Sequence, residues 1–420
     1  MHDFQYRNNK LYCGDLPVSA VAQSVPTPFY LYSKKSIVDN FQTFEDALSG
    51  LDHLICYALK ANSNETILRL LSGLGAGADV VSGGEIYLAL KNGFTPDKIV
   101  FAGVGKRDDE IEYALENDIL SFNVESKQEL QVLNKIAGRL NKVAHVELRI
   151  NPNIDIHGHP YISTGKSENK FGIDVDSTPS LIVSLKTMQH IRLIGLHCHT
   201  GSQIMSSTPY LAAIKVLSEL KENLAADGIE LTSIDIGGGI GVQYKNTILT
   251  GGGKQHNGNE INPRAILTSI LPELAKLQCK IIFEPGRALV ADAGILVSQV
   301  LFTKETRGKH FVVVDAGMTE LIRPSLYDAY HDILPISPRK GDPVCSDVVG
   351  PICESGDFLG KNRMLPALQR RDLLAVMTAG AYGFSLSSNY NARPRPAEVL
   401  VDAGEYAIIR QQESSEDIWR

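Results

Sequence analysis

Several polar side chains of this sequence stand at the ends of short apolar segments, where a strand would pass into a loop. Lys60 ends the segment HLICYALK, in which a permanently charged ammonium group would be poorly solvated. Burial lowers the pKa of a lysine and frees its amine as a nucleophile, as imine formation with an aldehyde requires. On position alone, a strand-end lysine more often extends its amine to solvent, so the neighbouring residues must decide.

Glu284 holds a comparable position in IIFEPGR, where an unpartnered carboxylate would be costly to bury. A carboxylate bonded to a pyridine nitrogen keeps that nitrogen protonated, and a pyridinium ring accepts electrons released at a substrate carbon. The structural alternative is an ion pair with a cation on another strand, for which Arg149 is the candidate.

Three consecutive glycines, Gly237 to Gly239, follow another apolar segment, and EPGR follows the next one. Glycine backbones expose their N–H groups to an anion because no side chain stands in the way. Phosphate sites in barrel enzymes recur after the seventh and eighth strands, near a helix N-terminus. Outside that context, three glycines mark only a tight turn.

The triplet His197, Cys198, His199 places two imidazoles on one face of a strand. This spacing occurs in metal-dependent barrel hydrolases, which are the rival class of enzyme. The other strand ends add a lysine and carboxylates but no third histidine, so we expect no metal. Two further interpretations stay open: an imidazole lying flat against a cofactor ring, or two buried histidines bonded to backbone.

These residues need a scaffold that brings strand ends together. Between residues 50 and 287, eight segments rich in Val, Ile and Leu alternate with amphipathic stretches whose apolar residues recur at i, i+3 and i+4. The segments are HLICYALKA, GADVV, KIVFAGV, ILSFNVES, HVELRINP, RLIGLHCHTG, SIDIGGG and KIIFEPGR. A doubly wound open sheet fits this alternation, but the count of eight favours a (β/α)₈ barrel of roughly 250 residues.

In such a barrel, chemistry takes place at the C-terminal ends of the strands. We therefore expect one set of strand-end residues to face a single mouth. It comprises Lys60, Asp79, Ser82, Arg149, Asn151, His197, His199, Gly237 to Gly239 and Glu284.

From about residue 288 the pattern changes to strand-like segments joined by Gly, Pro and Asp turns, which predicts a mostly β domain. The isolated strand TPFYLYS predicts that residues 1–34 pack with this domain. The expected domains are thus 1–34, a barrel over 35–287, and 288–420. The Gly-rich stretch TGGGKQHNGN is expected to form a loop after the seventh strand.

Composition narrows the class of function. The 420 residues are 43% hydrophobic and 21% charged, enough for a large core, and the net charge of -7 argues against nucleic-acid and membrane partners. The first residues lack the apolar stretch of a signal peptide, so we expect a cytoplasmic protein. The six cysteines are scattered and include no CxxC, which predicts reduced thiols.

A series of motifs in order along nearly the whole chain resembles the diaminopimelate decarboxylase family. The motifs are YALKAN, GADVVSGGE, FNVES, GLHCHTGSQI, DIGGG, EPGR, DAGMTELIRPSLYDAYH, GPICESGD and AYGFSLSSNYNARPRPAEV. That family belongs to the alanine-racemase-like pyridoxal-phosphate enzymes. The resemblance implies a barrel with a β domain, pyridoxal 5'-phosphate as cofactor, and a homodimer with shared active sites.

The resemblance also implies roles for single residues. Lys60 would hold pyridoxal phosphate as a Schiff base, His197 would stack on the pyridine ring, and Glu284 would bond to its nitrogen. Asp79 and Arg149 would lie near the ring. The phosphate would be bound by Ser202, Gly238, Gly239, Pro285, Gly286 and Arg287, with Tyr382 closing the site near phosphate and substrate.

Two residues of CESGD, Cys353 and Glu354, would reach in from the second subunit of the homodimer. The resemblance makes Cys353 the proton donor. Taken alone, Cys353 would be an inert interface thiol, because nothing in its local sequence predicts its pKa.

Arg323 in IRPSLY determines the expected substrate. The related ornithine and arginine decarboxylases resemble one another in placing acidic residues there, whereas a guanidinium suits a carboxylate. Arg287, Arg323, Tyr327 and Tyr382 would therefore contact meso-2,6-diaminopimelate, with Glu354 at its distal ammonium, and the products would be L-lysine and CO₂. Without the motif, Arg323 would be a surface ion pair.

Other functions remain to be separated from this one. An ornithine, arginine or carboxynorspermidine decarboxylase would share the barrel and cofactor. A metal-dependent hydrolase would need a metal in place of the cofactor. A binding protein descended from a decarboxylase would have lost the catalytic lysine, which this sequence retains.

Overall fold

The computed structural model describes residues 3–154, 170–248 and 262–418. The chain divides into two compact units. One contains Phe41–Gly241 and Ile261–Ala288, and the other contains Met1–Asn40, Val242–Glu260 and Leu289–Arg420. The predicted Gly-rich loop, residues 250–259, lies outside the described residues. Among the helices in the described ranges, none has the length and apolar character to cross a membrane.

The first unit is built on a closed parallel sheet, so the prediction of a barrel is confirmed and the open sheet is wrong. Each of eight strands pairs in parallel with the next along the chain, and the last pairs with the first. The strands are His53–Ala58, Gly77–Val80, Ile99–Phe101, Ser121–Val124, Ala144–Asn151, Ile191–His197, Ser233–Asp235 and Lys280–Phe283. A two-residue strand, Ile173–Asp174, adds to the fifth of them.

Helices alternate with these strands, and four of the eight begin at a side chain that caps them. Asn64, Ser82, Ser126 and Asn262 each accept a hydrogen bond from a backbone N–H in the first turn. The helices are Lys34–Leu48, Glu65–Gly73, Gly83–Lys91, Asp108–Glu116, Lys127–Arg139, Thr178–Leu185, Thr208–Ala226 and Pro263–Lys276. Short 3₁₀ turns occupy Leu59–Ala61, Pro96–Lys98 and Val175–Ser177.

The barrel strands are apolar along most of their length because both of their faces are covered. Leu54, Cys56, Val100 and Ile282 form one apolar cluster of the barrel. Most of the polar residues in the strands are buried, whereas His145 and Arg192 are exposed.

The second unit is rich in strands, as the sequence predicts. Phe29–Ser33 lies inside its nine-stranded sheet, antiparallel to Gly294–Thr306 and parallel to Ala397–Asp402. The N-terminal strand therefore belongs to the C-terminal sheet. The remaining strands are Lys309–Val314, Ile333–Pro335, Val344–Val349, Phe358–Leu365, Leu373–Val376 and Glu405–Arg410.

A small antiparallel sheet at the N-terminus completes the core of this unit. Its strands are Phe4–Arg7, Lys10–Cys13 and Leu16–Pro17, and their apolar residues pack with Val297 and Val399 of the large sheet. The short helices are Val18–Val21, Arg287–Val290, Arg323–Tyr327 and Ser415–Ile418, with turns at Phe384–Leu386 and Tyr390–Ala392.

Candidate active site

Lys60 lies just beyond the first barrel strand, in the turn Leu59–Ala61. Its Nζ is 2.5 Å from Oδ2 of Asp79, which ends the second strand. Asp79 is buried, whereas 40% of the Lys60 side chain is exposed, as its position at a strand end would favour. The first strand ends at Ala58, so Lys60 lies in the turn that follows it, and its amine contacts the carboxylate of Asp79.

Glu284 follows the eighth strand and is surrounded by polar groups. The Nδ2 of Asn123, from the fourth strand, donates to Oε1 at 3.0 Å, and the Nε2 of His197, from the sixth, lies 3.2 Å from Oε2. Burial alone would raise the pKa of Glu284, but His197 and Lys60 outweigh burial and hold that pKa below its usual range. Glu284 is therefore ionised at neutral pH.

The ion pair suggested between Glu284 and Arg149 is not formed. Arg149 donates to Oε1 of Glu125 at 2.7 Å, and its guanidinium lies 4.7 Å from the ring centroid of Phe171. Glu125 also accepts from the backbone N–H of Gly172. Arg149 thus serves as a fixed, buried cation at the mouth of the barrel.

The two histidines of HCH have different environments. His197 bonds to Glu284, and among the described residues its Nδ1 has no hydrogen-bond partner. His199 accepts at Nδ1 from the backbone N–H of Gly238 at 3.1 Å. Burial, reinforced by the positive charge of Arg149, lowers the pKa of His199 to about 3, so this imidazole is neutral.

The described residues that lie close enough to share a metal ion include His197 but not His199. Among the residues that the structure describes, the ligand atoms that lie within 4.8 Å of one another come from His197, Asp235 and Glu284, all buried, without His199. The two histidines that suggested a hydrolase thus have different hydrogen-bond partners, Glu284 for His197 and Gly238 for His199.

The glycine run after the seventh strand is required by close packing. A Cβ on Gly238 would lie 2.1 Å from the carbonyl oxygen of Glu284, and one on Gly239 would lie 2.2 Å from that of Gly201. Gly239 also has a φ of 99°, in the region that favours glycine. The N–H of Gly238 donates to His199, so packing alone accounts for these glycines and the turn interpretation stays open.

A buried cation and a hydroxyl lie together beyond the sixth and eighth strands. The Nη2 of Arg287 donates to Oγ of Ser202 at 2.9 Å, and Arg287 is buried. The Ser202 loop is tied to the glycine run because Ile204 donates to the carbonyl of Gly239 at 2.9 Å. Pro285 accepts from the N–H of Ala58, which fixes the EPGR turn against the first strand.

Two buried acids beneath the mouth were not predicted. Asp235 accepts from the N–H of Gly237 at 2.7 Å, and Glu147 accepts from the hydroxyl of Ser233. Burial, together with Glu284 and Glu147, raises the pKa of Asp235 well above its usual value. Burial also raises the pKa of Glu147 to about 8. Glu147 is therefore protonated at neutral pH, whereas Glu284 is ionised.

The predicted residues that lie outside the barrel are in the β-rich unit. Arg323 begins a short helix and is buried, and Tyr327 ends that helix. Cys353 and Glu354 are exposed on the loop before Phe358–Leu365. Tyr382 has a φ of 56°, in the left-handed region that is costly for a residue with a side chain.

The barrel residues fit pyridoxal phosphate. Its aldehyde requires an amine, which Lys60 offers; its ring nitrogen requires a carboxylate, which ionised Glu284 offers; and its phosphate requires cations and donors, which Arg287 and Ser202 offer. The Nδ1 of buried His197 and Oδ1 of Asp79 lack partners among the described residues, as expected of groups that face a ligand.

Comparison with known proteins agrees with this fit. A family model described as "Pyridoxal-dependent decarboxylase, pyridoxal binding domain" matches residues 34–291. The diaminopimelate decarboxylase of Aquifex aeolicus is 45% identical over 410 residues, which cover 98% of this chain and 95% of that protein.

Solved structures are equally similar. The crystal structure of diaminopimelate decarboxylase from Helicobacter pylori complexed with L-lysine is 44% identical, with a TM-score of 0.89, and the match covers 96% of this chain and 98% of that one. The enzyme from M. jannaschii in co-complex with L-lysine has a TM-score of 0.91 at 35% identity, over 99% of this chain and 96% of that one. The chain therefore belongs to the pyridoxal-dependent decarboxylases and, among them, to the diaminopimelate decarboxylase family.

Proposed function

We propose that this chain decarboxylates meso-2,6-diaminopimelate to L-lysine and CO₂, the last step of lysine biosynthesis. The observation that carries the proposal is the paired arrangement at the barrel mouth, with Lys60 on Asp79 and His197 on ionised Glu284. Relatives named diaminopimelate decarboxylase, two of them with L-lysine bound, support this substrate over ornithine, arginine or carboxynorspermidine.

Pyridoxal phosphate, the cofactor of this family, supplies when bound an electron sink for the electron pair that CO₂ leaves behind. We propose that the amine of Lys60 would bind the aldehyde carbon of pyridoxal phosphate. The carboxylate of Asp79 would orient this amine and balance its positive charge. Glu284 would hold the proton on the ring nitrogen, because its own pKa stays low. His197 would pack against the ring, with the cation of Arg149 nearby.

The phosphate is expected to bind where cation, hydroxyl and backbone donors are tied together. Arg287 and Ser202 supply the first two, and their loops are joined to the glycine run and to EPGR. The residues proposed for this role are Ser202, Gly238, Gly239, Pro285, Gly286 and Arg287. Tyr382, held at its positive φ, is proposed to close the site near phosphate and substrate.

Substrate recognition is proposed to depend on charge. Arg287, Arg323 and Tyr327 would bind the distal carboxylate, since a guanidinium can donate two parallel hydrogen bonds to it. Glu354 would meet the distal ammonium, and Cys353 would return a proton to the carbon that lost CO₂. We propose a homodimer in which Cys353 and Glu354 of one subunit complete the site of the other.

Two further proposals concern organisation. We propose residues 35–287 as the cofactor-binding domain, supported by the extent of the family match, with 1–34 and 288–420 forming the second domain. We also propose that the enzyme acts in the cytoplasm. All six cysteines are free thiols, which suits a reducing compartment.

The proposal is tested by trapping the cofactor on the protein. Borohydride reduction of the loaded enzyme, followed by peptide mass spectrometry, should place pyridoxyl phosphate on the Lys60 peptide. Lys60→Ala should lose this label and all turnover, because no other amine replaces it. Lys215→Ala, at a lysine whose side chain is 78% exposed, is the control and should keep both.

Substrate class is tested in the same preparation. CO₂ release should be fastest from meso-diaminopimelate in competition with its stereoisomers, ornithine, arginine and lysine. Faster release from a basic amino acid would overturn the substrate, and a protein that binds no cofactor would indicate a binding protein instead.

A further inference from the structure

The guanidinium of Arg323 is held by a histidine that was not among the predicted site residues. Nη1 of Arg323 lies 2.8 Å from Nε2 of His331, and Nδ1 of His331 lies 2.8 Å from the carbonyl oxygen of Met377. His331 is fully buried and Arg323 is 6% exposed. The three groups form a chain of hydrogen bonds within the β-rich unit.

The chemistry of the two end groups fixes the tautomer of the imidazole between them. A guanidinium has only donors, so Nε2 of His331 must accept. A carbonyl has only acceptors, so Nδ1 must carry the hydrogen and donate to Met377. His331 is therefore neutral, with both ring nitrogens engaged in these two bonds.

The surrounding packing limits movement of the pair. The ring of Tyr244 lies edge-on to His331, with centroids 5.0 Å apart, and the Arg323 guanidinium lies 4.7 Å from the Tyr244 centroid. The backbone N–H of Met377 donates to the carbonyl of Asp332 at 2.8 Å, which fixes the acceptor of His331. Separate segments of the chain thus converge on one guanidinium.

We infer that His331 is a positioning residue for carboxylate recognition. It orients Arg323 through Nη1, and the inference rests on the proposed function, in which Arg323 binds the distal carboxylate. A carboxylate in place of His331 would also orient the guanidinium, but it would compete with the substrate for the positive charge. A neutral imidazole orients the cation and leaves its charge for the substrate.

Three substitutions separate orientation from packing. His331→Gln carries its carboxamide to the region of Nε2 and retains an acceptor for Arg323. His331→Asn carries its carboxamide to the region of Nδ1 and retains only the donor to Met377. His331→Phe retains the ring shape and removes both.

The expected result is a change in substrate affinity that the acceptor governs. In the cofactor-loaded enzyme, His331→Asn and His331→Phe should raise KM for meso-diaminopimelate about tenfold or more, with a much smaller change in kcat. His331→Gln should restore most of the affinity. A merely structural role would instead make Asn and Gln equivalent, or lower kcat and thermal stability together.

A pair of inhibitors isolates the carboxylate. L-Lysine and cadaverine differ only in the carboxylate that Arg323 is proposed to bind. The preference for L-lysine over cadaverine should fall about tenfold in His331→Asn and stay near the wild-type ratio in His331→Gln. An unchanged preference in His331→Asn would overturn the inference, even if His331→Phe fails to fold.

Arg323→Ala separates this inference from the proposal beneath it. If Arg323→Ala leaves the lysine preference intact, the proposed role of Arg323 fails. If Arg323→Ala removes the preference and His331→Asn does not, only the role of His331 fails.

Discussion

Glu284 keeps its negative charge in a part of the barrel where the pKa values of its acidic neighbours are raised. Burial, together with the negative charge of Glu284, raises the pKa of both Asp235 and Glu147, whereas His197 and Lys60 stabilise the charge on Glu284. Glu284 is thereby kept ionised, as its proposed role at the nitrogen of the cofactor ring requires. Its ionisation depends on strands that are distant in sequence.

His199 provides a test of buried charge at the scale of one residue. Its pKa is lowered to about 3, so the folded protein resists protonation that the unfolded chain accepts near pH 6.5. The contribution of His199 to the free energy of unfolding is therefore complete above the pKa of the unfolded chain. It is lost as the pH falls from there towards the pKa of the folded protein. His199→Asn keeps an acceptor for Gly238 but cannot ionise.

Between pH 7 and pH 5, wild type should lose about 2 kcal/mol more unfolding free energy than His199→Asn. Urea titration of the cofactor-free proteins measures this, since bound ligand would otherwise contribute. Parallel losses in the two proteins would mean that His199 can become protonated in the fold.

Single residues could be predicted from the sequence where a polar side chain directly follows an apolar strand, because such side chains face the mouth of a barrel. Lys60, Asp79, His197 and Glu284 follow strands whose apolar character is plain, and the structure brings all four together. Asn123 obeys the same rule in FNVES and could have been found by applying it to every strand. Asp235 ends the seventh strand and could have been found in the same way. Glu147 and His331 give no such signal, because their importance depends on neighbours that only the fold supplies.

At the scale of elements, the glycines that directly follow the seventh strand pack closely against neighbouring backbone. Gly238 packs against the backbone that carries Glu284, so the two loops cannot move independently. The barrel strands themselves were predictable from their apolar runs. Phe358–Leu365 was not, because this edge strand carries lysine, asparagine and arginine, which discourage edge-to-edge pairing.

Gly238→Ala should disturb both fold and cofactor binding. The new Cβ would lie 2.1 Å from the Glu284 carbonyl oxygen, so one loop must shift, at a cost of about 1–3 kcal/mol in unfolding free energy. Affinity for pyridoxal phosphate, measured by equilibrium dialysis, should fall as well.

Gly50→Ala is the matched control because its Cβ would meet no atom within 4 Å. It should leave the free energy of unfolding within about 0.5 kcal/mol of wild type. Normal cofactor affinity in Gly238→Ala would show that the position of this loop does not matter for the phosphate.

At the scale of the whole molecule, the buried acids link stability to pH. The pKa of Glu147 is raised to about 8 in the folded protein. Its contribution to the free energy of unfolding is therefore complete below the unfolded pKa near 4.5 and is lost as the pH rises towards 8. Glu147→Gln keeps an acceptor for Ser233 and remains neutral at every pH.

Relative to Glu147→Gln, wild type should lose about 2 kcal/mol of unfolding free energy between pH 5 and pH 7. Chemical denaturation of both proteins across this range measures the difference. If the difference stays constant with pH, Glu147 does not hold its proton in the folded barrel.

The position of Phe29–Ser33 inside the C-terminal sheet has a consequence for synthesis on the ribosome. This strand is synthesised before the barrel, whereas the strands that pair with it contain residues 294–297 and 397–401. Both of its edges therefore remain unpaired while the barrel sequence is translated. Exposed strand edges invite pairing with other chains. The nascent chain therefore depends on shielding until its last strands arrive, and a messenger truncated before codon 397 would yield a protein with a permanently open edge.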